Sequence, residues 1–375
     1  MSENGTERKN KTRKKSFRKF IGAILLILLI ASFTLFIFAL KTIYPPADET
    51  IIRQAAGNVL NKDPNDLANE DFAKITKLKL RGNTRDLKLL EKFTNLEDLD
   101  LKHVKLKKRN IPQWLVSFTM RLGIKLPQKE FIDMSPLGKL SHLKKLDLFG
   151  GAFNDISTIT GLSNLEDLNI SGTKIRDIAS LQKFTNLKKL NIWGENFSDF
   201  TFLANFNNIE ELNLQATNIK SIEPLTNLTK LKVLYLNETQ IDDIKPLKNL
   251  TKLQTLNITF TPIENLEALR NLKNLQALHI NNTNITNLEP LKESVNLERF
   301  TLDGTQMATI ETLKDLPKLE SLTLHQCSIH DLEPLKKMKN VKYVLIFNCE
   351  NITDKQIKDL NKELPDMNIN QLFID

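Results

Sequence analysis

Apolar residues recur along most of the chain in one short pattern. Each unit opens with a leucine–any–leucine frame, and the first residue of this frame recurs every 22 residues without slippage. The ten in-phase positions are Leu146, Leu168, Leu190, Leu212, Leu234, Leu256, Leu278, Phe300, Leu322 and Val344. A fixed period of this length is typical of a repeat array, in which each unit packs only against its neighbours.

Two spacings of apolar residues follow one another within each unit. Leu234 and Leu236 flank a single residue, which is the alternation of a β-strand. Further along the same unit, Ile244, Leu247 and Leu250 are three residues apart, which is the step of a tight 3₁₀ segment. The pattern therefore predicts a strand, a bend and a compact return in each unit. Stacked units would align these strands in a parallel sheet.

Both ends of such an array need a cover, because an open stack exposes core side chains and unpaired strand edges. We expect the repeats to span residues 72–349. Before them, residues 45–71 form a linker followed by apolar residues at helical spacing. After them, residues 350–375 contain Thr353 and Gln356 in the arrangement of a helix capping box. The sequence thus predicts helical caps at the two ends.

One early coil is interrupted by a basic insert, residues 102–130, with eight Lys or Arg against a single Glu. One interpretation is a solvated loop over an irregular coil. The other is a contact with anionic lipid or an anionic surface polymer, since each cation near such a surface contributes about 1 kcal/mol. The residues proposed for that contact are Lys107, Lys108, Arg109 and Trp114.

The start of the chain has a different composition. Residues 1–19 carry eight Lys or Arg against Glu3 and Glu7, which gives +6 of the total formal charge of +8. The remainder is near neutral, so the composition argues against nucleic-acid binding. The basic segment is expected to be a cytoplasmic tail.

Residues 20–40 are 21 consecutive residues without a charge. As a helix they would extend roughly 30 Å, the thickness of the hydrocarbon core of a bilayer. An uncleaved signal anchor over residues 20–44 is favoured over a removed signal peptide, whose apolar stretch is shorter and ends in small residues. The basic flank predicts a cytoplasmic N-terminus, with the repeats on the other side of the cell membrane.

The repeat resembles the leucine-rich repeats. The matching pattern is L-x-x-L-x-x-L-x-L-x-x-T-x-I-x-D-I-x-P-L-x-x-L. It is similar to the short 22-residue class of bacterial internalin-like surface proteins and of a regulatory subunit of protein phosphatase 1. This resemblance implies an α/β repeat solenoid, a horseshoe or arc. A parallel β-sheet would form its concave face, with short 3₁₀ or irregular segments on the convex side and helical caps at both ends.

Candidate chemistry in the sequence is sparse. His325, Cys327 and His330 form the one metal-like cluster, but the coil pattern directs them three ways, so no metal site is expected. No catalytic motif or cofactor-binding motif occurs, and we expect no enzyme activity and no cofactor. Cys327 and Cys349 occupy equivalent positions in adjacent coils, where most coils have Thr. A ladder of small buried side chains and a disulfide both fit this spacing.

A recognition surface is therefore the expected site. Strand residues beside the frame leucines would face outward on the concave sheet, where Asn recurs and large aromatics appear at intervals. Aromatic residues are enriched at protein interfaces. The candidate ligand-binding residues are Phe149, Trp193, Tyr235, His279, His325, Tyr343, Leu345 and Phe347.

The last regular coil is apolar on both sides of its strand. Tyr343, Leu345 and Phe347 should point outward there. Either they bind a protein partner, or the C-terminal tail with Leu372 and Phe373 folds back and covers them.

Two functions of different class follow. The first is a membrane-anchored, extracytoplasmic protein that binds a protein or another surface ligand, in adhesion or ligand recognition, like bacterial surface proteins. The second is a regulatory scaffold that docks onto a membrane or intracellular enzyme such as a phosphatase.

Overall fold

The computed structural model describes most of the chain: residues 49–84, 86–106, 113–121, 131–194, 197, 199–304, 307 and 309–372. The chain divides into two compact units. One comprises residues 49–106 and 131–375 and contains the repeats. The other comprises residues 1–48 and 107–130, and within it only the helix Gln113–Arg121 is described. The predicted membrane span, residues 20–40, lies outside the described residues, among which no helix is long and apolar enough to cross a bilayer.

A parallel β-sheet of thirteen strands forms one side of the array. The strands are β1 Lys77–Lys79, β2 Asn83–Thr84, β3 Asp98–Asp100, β4 Lys105–Leu106, β5 Lys145–Asp147, β6 Asp167–Asn169, β7 Lys189–Asn191, β8 Glu211–Asn213, β9 Val233–Tyr235, β10 Thr255–Asn257, β11 Ala277–His279, β12 Arg299–Asp303, β13 Ser321–His325, β14 Tyr343–Phe347 and β15 Asn368–Leu372. Of these fifteen strands, β2 and β4 pair with each other in a separate two-stranded sheet. The other thirteen form the main sheet and follow one another in chain order.

Register in the sheet follows the predicted frame. Leu234 lies opposite Leu212 and Leu256, and each of these leucines is at most 1% exposed. Burying one leucine side chain stabilises the fold by about 1.5–3 kcal/mol. No single coil can achieve this burial, so the stack supplies it. The predicted parallel sheet is confirmed.

Short 3₁₀ segments lie between successive strands along the chain and form the compact returns of the coils. They span Lys88–Lys92, Ser135–Lys139, Ser157–Ile159, Ala179–Lys183, Thr201–Asn205, Glu223–Leu225, Lys245–Asn249, Glu267–Leu269, Glu289–Leu291, Glu311–Asp315 and Glu333–Lys337. Several have a proline as their second residue, whose fixed φ suits the first turn. The return at Thr201–Asn205 has Phe202 in its first turn instead, and this ring packs edge-on against Phe206 at 5.9 Å.

Two sets of side-chain hydrogen bonds recur along the array, one within single coils and one between adjacent coils. Buried threonines donate at 2.6–2.8 Å to the carbonyl three residues earlier: Thr173, Thr217, Thr239, Thr261 and Thr283. Asparagines at the bends donate at 2.8 Å to a carbonyl of the preceding coil: Asn164, Asn186, Asn274 and Asn296. These repeated polar residues therefore have structural roles.

The ends of the array differ in construction. At the start, the helices α1 Thr50–Leu60 and α2 Asn69–Phe72 bury Ile52 and Phe72 against the first coils. At the other end lies the helix Asp354–Glu363, which has the expected capping box: Gln356 N–H donates to the Thr353 hydroxyl at 3.3 Å. β15 follows this helix.

Candidate functional site

Asparagines on the outer side of the central strands are occupied by the backbone. The Oδ1 of Asn191 accepts the N–H of Trp193 at 3.1 Å, and the Oδ1 of Asn257 accepts the N–H of Thr259 at 3.0 Å. The same bond recurs at Asn169, Asn213, Asp147 and Asp100. Such a side chain satisfies the N–H at the point where the strand ends. The recurring Asn is thus a strand terminator before it is a ligand-binding group.

Each strand from β5 to β14 is followed, within three residues, by one residue in the left-handed backbone region. Glycines hold this place in several coils, including Gly150, Gly172, Gly194 and Gly304. Phe260 also holds it, with φ of 55° and a side chain that is 57% exposed. A bulky side chain rarely adopts this conformation. Phe260 is thus an exposed aromatic residue that the candidate set omitted.

Two candidate residues from different coils meet in one aromatic cluster. The rings of Phe149 and Trp193 stack with centroids 5.8 Å apart at 18°, and His103 packs edge-on against Phe149 at 4.9 Å. Gly150 makes room for this arrangement, because a Cβ at that position would lie 2.5 Å from the His103 ring. Trp193 is 39% exposed. The cluster presents an aromatic surface to solvent.

Tyr235 and His279 lie apart from this cluster. Tyr235 borders a shallow, polar cavity of 280 Å³ over the central strands, together with Asn191 and Asn213. His279 is half-buried, and its Nδ1 lies 2.9 Å from the Thr301 hydroxyl. Burial, and secondarily the charge of Arg299, lowers the pKa of His279, so this ring is neutral at pH 7.

The C-terminal candidates form a second group. His325 Nδ1 lies 2.7 Å from Asp303 Oδ2, and its ring packs edge-on against Phe347 at 5.7 Å. Tyr343 is 55% exposed, while Leu345 and Phe347 are half-buried on the same outer side of β14. We name Tyr343, Leu345 and Phe347 the β14 patch. The eight candidate residues therefore form two groups and two isolated side chains.

The C-terminal tail extends the sheet beside the β14 patch. β15 pairs in parallel with β14, with Asn368 opposite Tyr343 and Asn370 opposite Leu345. Its buried residue Ile369 continues the inner row that contains Val344. The described part of the tail thus covers the edge of the sheet, whereas Phe373 lies outside the described residues.

Charged residues at the strand starts pair from coil to coil. Lys188 contacts Glu166 at 2.9 Å, and Lys232 contacts Glu210 at 2.6 Å. A neighbouring row contains a second pair, Lys189–Glu211, at 2.6 Å. These exposed pairs each contribute little to stability. Because each pair contains one positive and one negative charge, this part of the sheet has no electrostatic potential of a single sign.

The basic insert is described only in part. Lys102 contacts Asp147 Oδ2 at 3.1 Å, so one of its cations is paired with the sheet. Trp114 lies within the helix Gln113–Arg121. Lys107, Lys108 and Arg109 lie outside the described residues. Within the described part of the chain, no group of three or more His, Cys, Asp or Glu side chains could hold a metal ion.

Sequence reasoning missed three residues of these groups: His103, Phe260 and Asp303. Phe260 could have been found from the glycines, since it shares a 22-residue register with Gly150 and Gly194. His103 lies 21 residues after Gly82, so it falls outside the 22-residue register. Asp303 could not be distinguished by sequence from the other polar residues at outer strand positions. Their contacts depend on side chains from coils that are adjacent only in space.

Comparison with known proteins agrees with this architecture. Residues 163–205 and 207–249 match the family described as "Leucine Rich repeats (2 copies)". The chain contains leucine-rich repeats. The fold of this leucine-rich-repeat chain is similar to that of an internalin from Listeria monocytogenes, at 26% identity and a TM-score of 0.70, covering 90% of this chain and 92% of that one.

Two more distant structures share the fold. A leucine-rich-repeat protein of Leptospira interrogans is 18% identical with a TM-score of 0.63, covering 81% of this chain and 80% of that one. The ectodomain of a membrane receptor kinase from Arabidopsis thaliana, solved in complex with Casparian strip integrity factor 2, is 18% identical with a TM-score of 0.57. That match covers 80% of this chain and 41% of the ectodomain. No curated protein matches the chain.

Proposed function

We propose that this leucine-rich-repeat protein is anchored in the cell membrane by residues 20–40 and displays its array outside the cytoplasm. There it binds a protein partner through the outer side of the sheet, in adhesion or ligand recognition. It performs this role without enzyme activity or a cofactor. The array is assigned to the 22-residue class, which the 22-residue register of β5 to β14 supports.

The β14 patch is the observation that carries this proposal. The Asn side chains of the central coils are engaged in ending their strands, but Leu345 and Phe347 have no polar groups for that task. Tyr343 is more than half exposed beside them. Neighbouring apolar groups on a rigid sheet suit a protein surface better than a small polar ligand, because aromatic anchors dominate protein interfaces.

The aromatic cluster of Phe149 and Trp193 supplies a second contact area on the same outer side of the sheet. Trp and Tyr are frequent among the residues that contribute most to binding. Tyr235 and the exposed Phe260 lie on coils between the cluster and the β14 patch. A partner that follows the sheet along several coils would contact all of them.

Topology tests the membrane part of the proposal. Protease added to intact cells should digest the repeats, and opening the membrane first should not increase the digestion of the repeats. Residues 1–19 should be protected in intact cells and digested once the membrane is opened. Loss of an epitope at the N-terminus would report this digestion. Protection of the repeats in intact cells would contradict the proposal and favour the alternative, a scaffold that docks onto an intracellular enzyme.

Binding is tested at the β14 patch. Cross-linking of the full-length protein in cells identifies the partner by mass spectrometry, and the purified partner is then titrated. Tyr343→Asp and Phe347→Asp should weaken binding at least tenfold. The matched control is Val233→Asp, which changes the outer residue at the same strand position as Tyr343 five coils earlier. Equal affinity of all variants would exclude the patch.

We further propose that the basic insert contacts an anionic lipid or polymer through Lys107, Lys108, Arg109 and Trp114. The cations follow the proposed anchor by about seventy residues, and each adds about 1 kcal/mol near an anionic surface. A fragment beginning at Pro46 should bind anionic vesicles and not neutral ones. Replacing Lys107, Lys108 and Arg109 together by Glu should remove this preference, and an unchanged preference would contradict the idea.

A further inference from the structure

Two cysteines occupy a position that holds hydrogen-bonded threonine in five other coils. There the Thr hydroxyl donates to a carbonyl at 2.6–2.8 Å. The Sγ of Cys349 instead has a longer contact, 3.4 Å, with the Phe347 carbonyl oxygen. A thiol is a weak donor. Cysteine thus performs the hydrogen-bonding task of this position less well than threonine, and it does so in two adjacent coils.

The two thiols face each other across these coils. Both are free thiols, buried to 5% and 1% exposure, and their Sγ atoms are 2.7 Å apart. β13 and β14 are paired in register up to His325 and Phe347, two residues before each cysteine. Neighbouring strands lie about 4.8 Å apart, which is within the Cα range of a disulfide. Only a small side-chain movement therefore separates this dithiol from a disulfide.

The pair is electrostatically asymmetric. A hydrogen bond from the Cys327 thiol lowers the pKa of Cys349 to about 7, against the opposing effect of burial. The same hydrogen bond, together with burial, raises the pKa of Cys327. Near neutral pH, Cys349 is therefore partly present as the thiolate, which is the reactive form of cysteine. Cys327 retains its proton and can donate it.

The pair lies beside an open pocket. The pocket has a volume of 630 Å³ and is lined by Gln326, Cys327, Ser328, Asn348, Glu350 and Asn351. Cys327 forms part of its wall, and the Cys349 Sγ lies 2.7 Å from the Cys327 Sγ, so a small reagent that enters the pocket comes close to the sulfur pair. A molecule the size of hydrogen peroxide fits easily.

We propose that Cys327 and Cys349 form a two-cysteine redox site, which a hydroperoxide oxidises to a disulfide and a dithiol reductant restores. The Cys349 thiolate attacks one peroxide oxygen, the O–O bond breaks, and the departing hydroxide takes a proton to become water. Cys349 is then a sulfenic acid. The Cys327 sulfur attacks it, the S–O bond breaks, and the thiol proton leaves with the hydroxide as a second water. The two cysteines lose two electrons and the peroxide gains them.

Peptide mapping of the full-length protein tests the site. After treatment with hydrogen peroxide in mild detergent, non-reducing mass spectrometry should find the peptides of Cys327 and Cys349 joined within one molecule. Dithiothreitol should return both thiols. Oxidation should also raise the melting temperature by roughly 5 °C, because the bond closes a loop and restricts the unfolded chain. The oxidation rate should fall about tenfold per pH unit below 7, as the thiolate is protonated.

Matched variants complete the test. Cys327→Thr and Cys349→Thr restore the residue that other coils carry, so both should keep the fold. Cys327→Thr should form no disulfide, and its Cys349 should progress to sulfinic acid. The proposal is overturned if wild-type protein keeps two alkylatable thiols after oxidation, if only one cysteine is oxidised, or if the disulfide joins two molecules. None of these outcomes depends on the proposed partner binding.

Discussion

The outer strand positions have one role in the central coils and another in the last regular coil. In β7 and β10, Asn191 and Asn257 point outward and accept the backbone N–H that follows the strand. In β14 the corresponding residue is Leu345, between Tyr343 and Phe347. The inner residues of both regions are equally buried. An outer position in this array can thus serve the coil itself or be left available for a partner.

This difference shows that a residue that recurs in many coils and a residue that occurs in one coil carry different information. An Asn side chain accepts the same N–H in β6, β7, β8 and β10, so the repetition of Asn reflects the fold. The apolar residues of β14 occur once and are not required by the coil. Departures from the repeat are therefore better guides to binding than the repeat itself.

The largest effect should come from the inner residues, where the two regions should behave alike. Leu256→Ala in β10 and Ile346→Ala in β14 each remove a fully buried side chain. Each should lower the free energy of unfolding by about 2–5 kcal/mol through lost burial and a residual cavity. Urea denaturation measures both. A negligible cost for Ile346→Ala alone would mean that β14 is not part of the cooperative core.

Removing an outward asparagine should have an intermediate effect. Asn257→Ala leaves the N–H of Thr259 without its side-chain acceptor, which should cost about 0.5–2 kcal/mol, as for other lost caps. Asn257→Asp retains an acceptor oxygen and is the control that should stay close to wild type. If Asn257→Ala proved as stable as wild type, the central asparagines would have no structural role and would return as binding candidates.

Acid should act on the cap at the start of the array, far along the chain from β14. The carboxylate of Asp71 accepts hydrogen bonds from Lys74 at 2.9 Å and Lys62 at 3.0 Å, and these hold its pKa well below the usual range. A depressed carboxyl pKa stabilises the folded state fully above the unfolded value of about 3.9, and this stabilisation is lost progressively as the pH falls from there towards the lower folded pKa.

Asp71→Asn should therefore melt at a lower temperature than wild type at pH 7, and the difference should narrow below about pH 4. Melting followed by circular dichroism from pH 7 to pH 3 measures both variants. Glu70→Gln, at the neighbouring exposed residue, is the control that should change little. A difference that is constant with pH would show that the ion pairs of Asp71 are not the cause.

The smallest effect on stability should come from the β14 patch itself. Tyr343→Ala removes a side chain that is 55% exposed, and it should change the free energy of unfolding by less than about 0.5 kcal/mol. Urea denaturation beside Asn257→Ala makes the comparison direct. A loss of 2 kcal/mol or more, roughly that of a buried side chain, would show that Tyr343 belongs to the core and would remove it from the proposed interface.

Much of the fold could be predicted from the sequence. The 22-residue spacing of Leu146 to Val344 specifies the strands, the parallel pairing and the inner row, because stacking is the one arrangement that buries every frame residue. The step of three in each unit predicted the 3₁₀ returns, and Thr353 with Gln356 predicted the C-terminal helix. These features depend on local spacing and on contacts between units that repeat the same sequence.

Only the tertiary structure decided how the outward side chains are used. Whether Asn191 is free or bonded to the N–H of Trp193 depends on backbone geometry at the end of a strand. That His103 packs on Phe149 depends on the room left by Gly150, and that Cys327 touches Cys349 depends on the register of two coils. The path of the tail beside β14 likewise follows from the open edge of the sheet. The 22-residue period of the sequence specifies which residues are buried, because the same positions are buried in all coils. Individual side-chain contacts depend on distances of a few ångströms, which the sequence period does not encode.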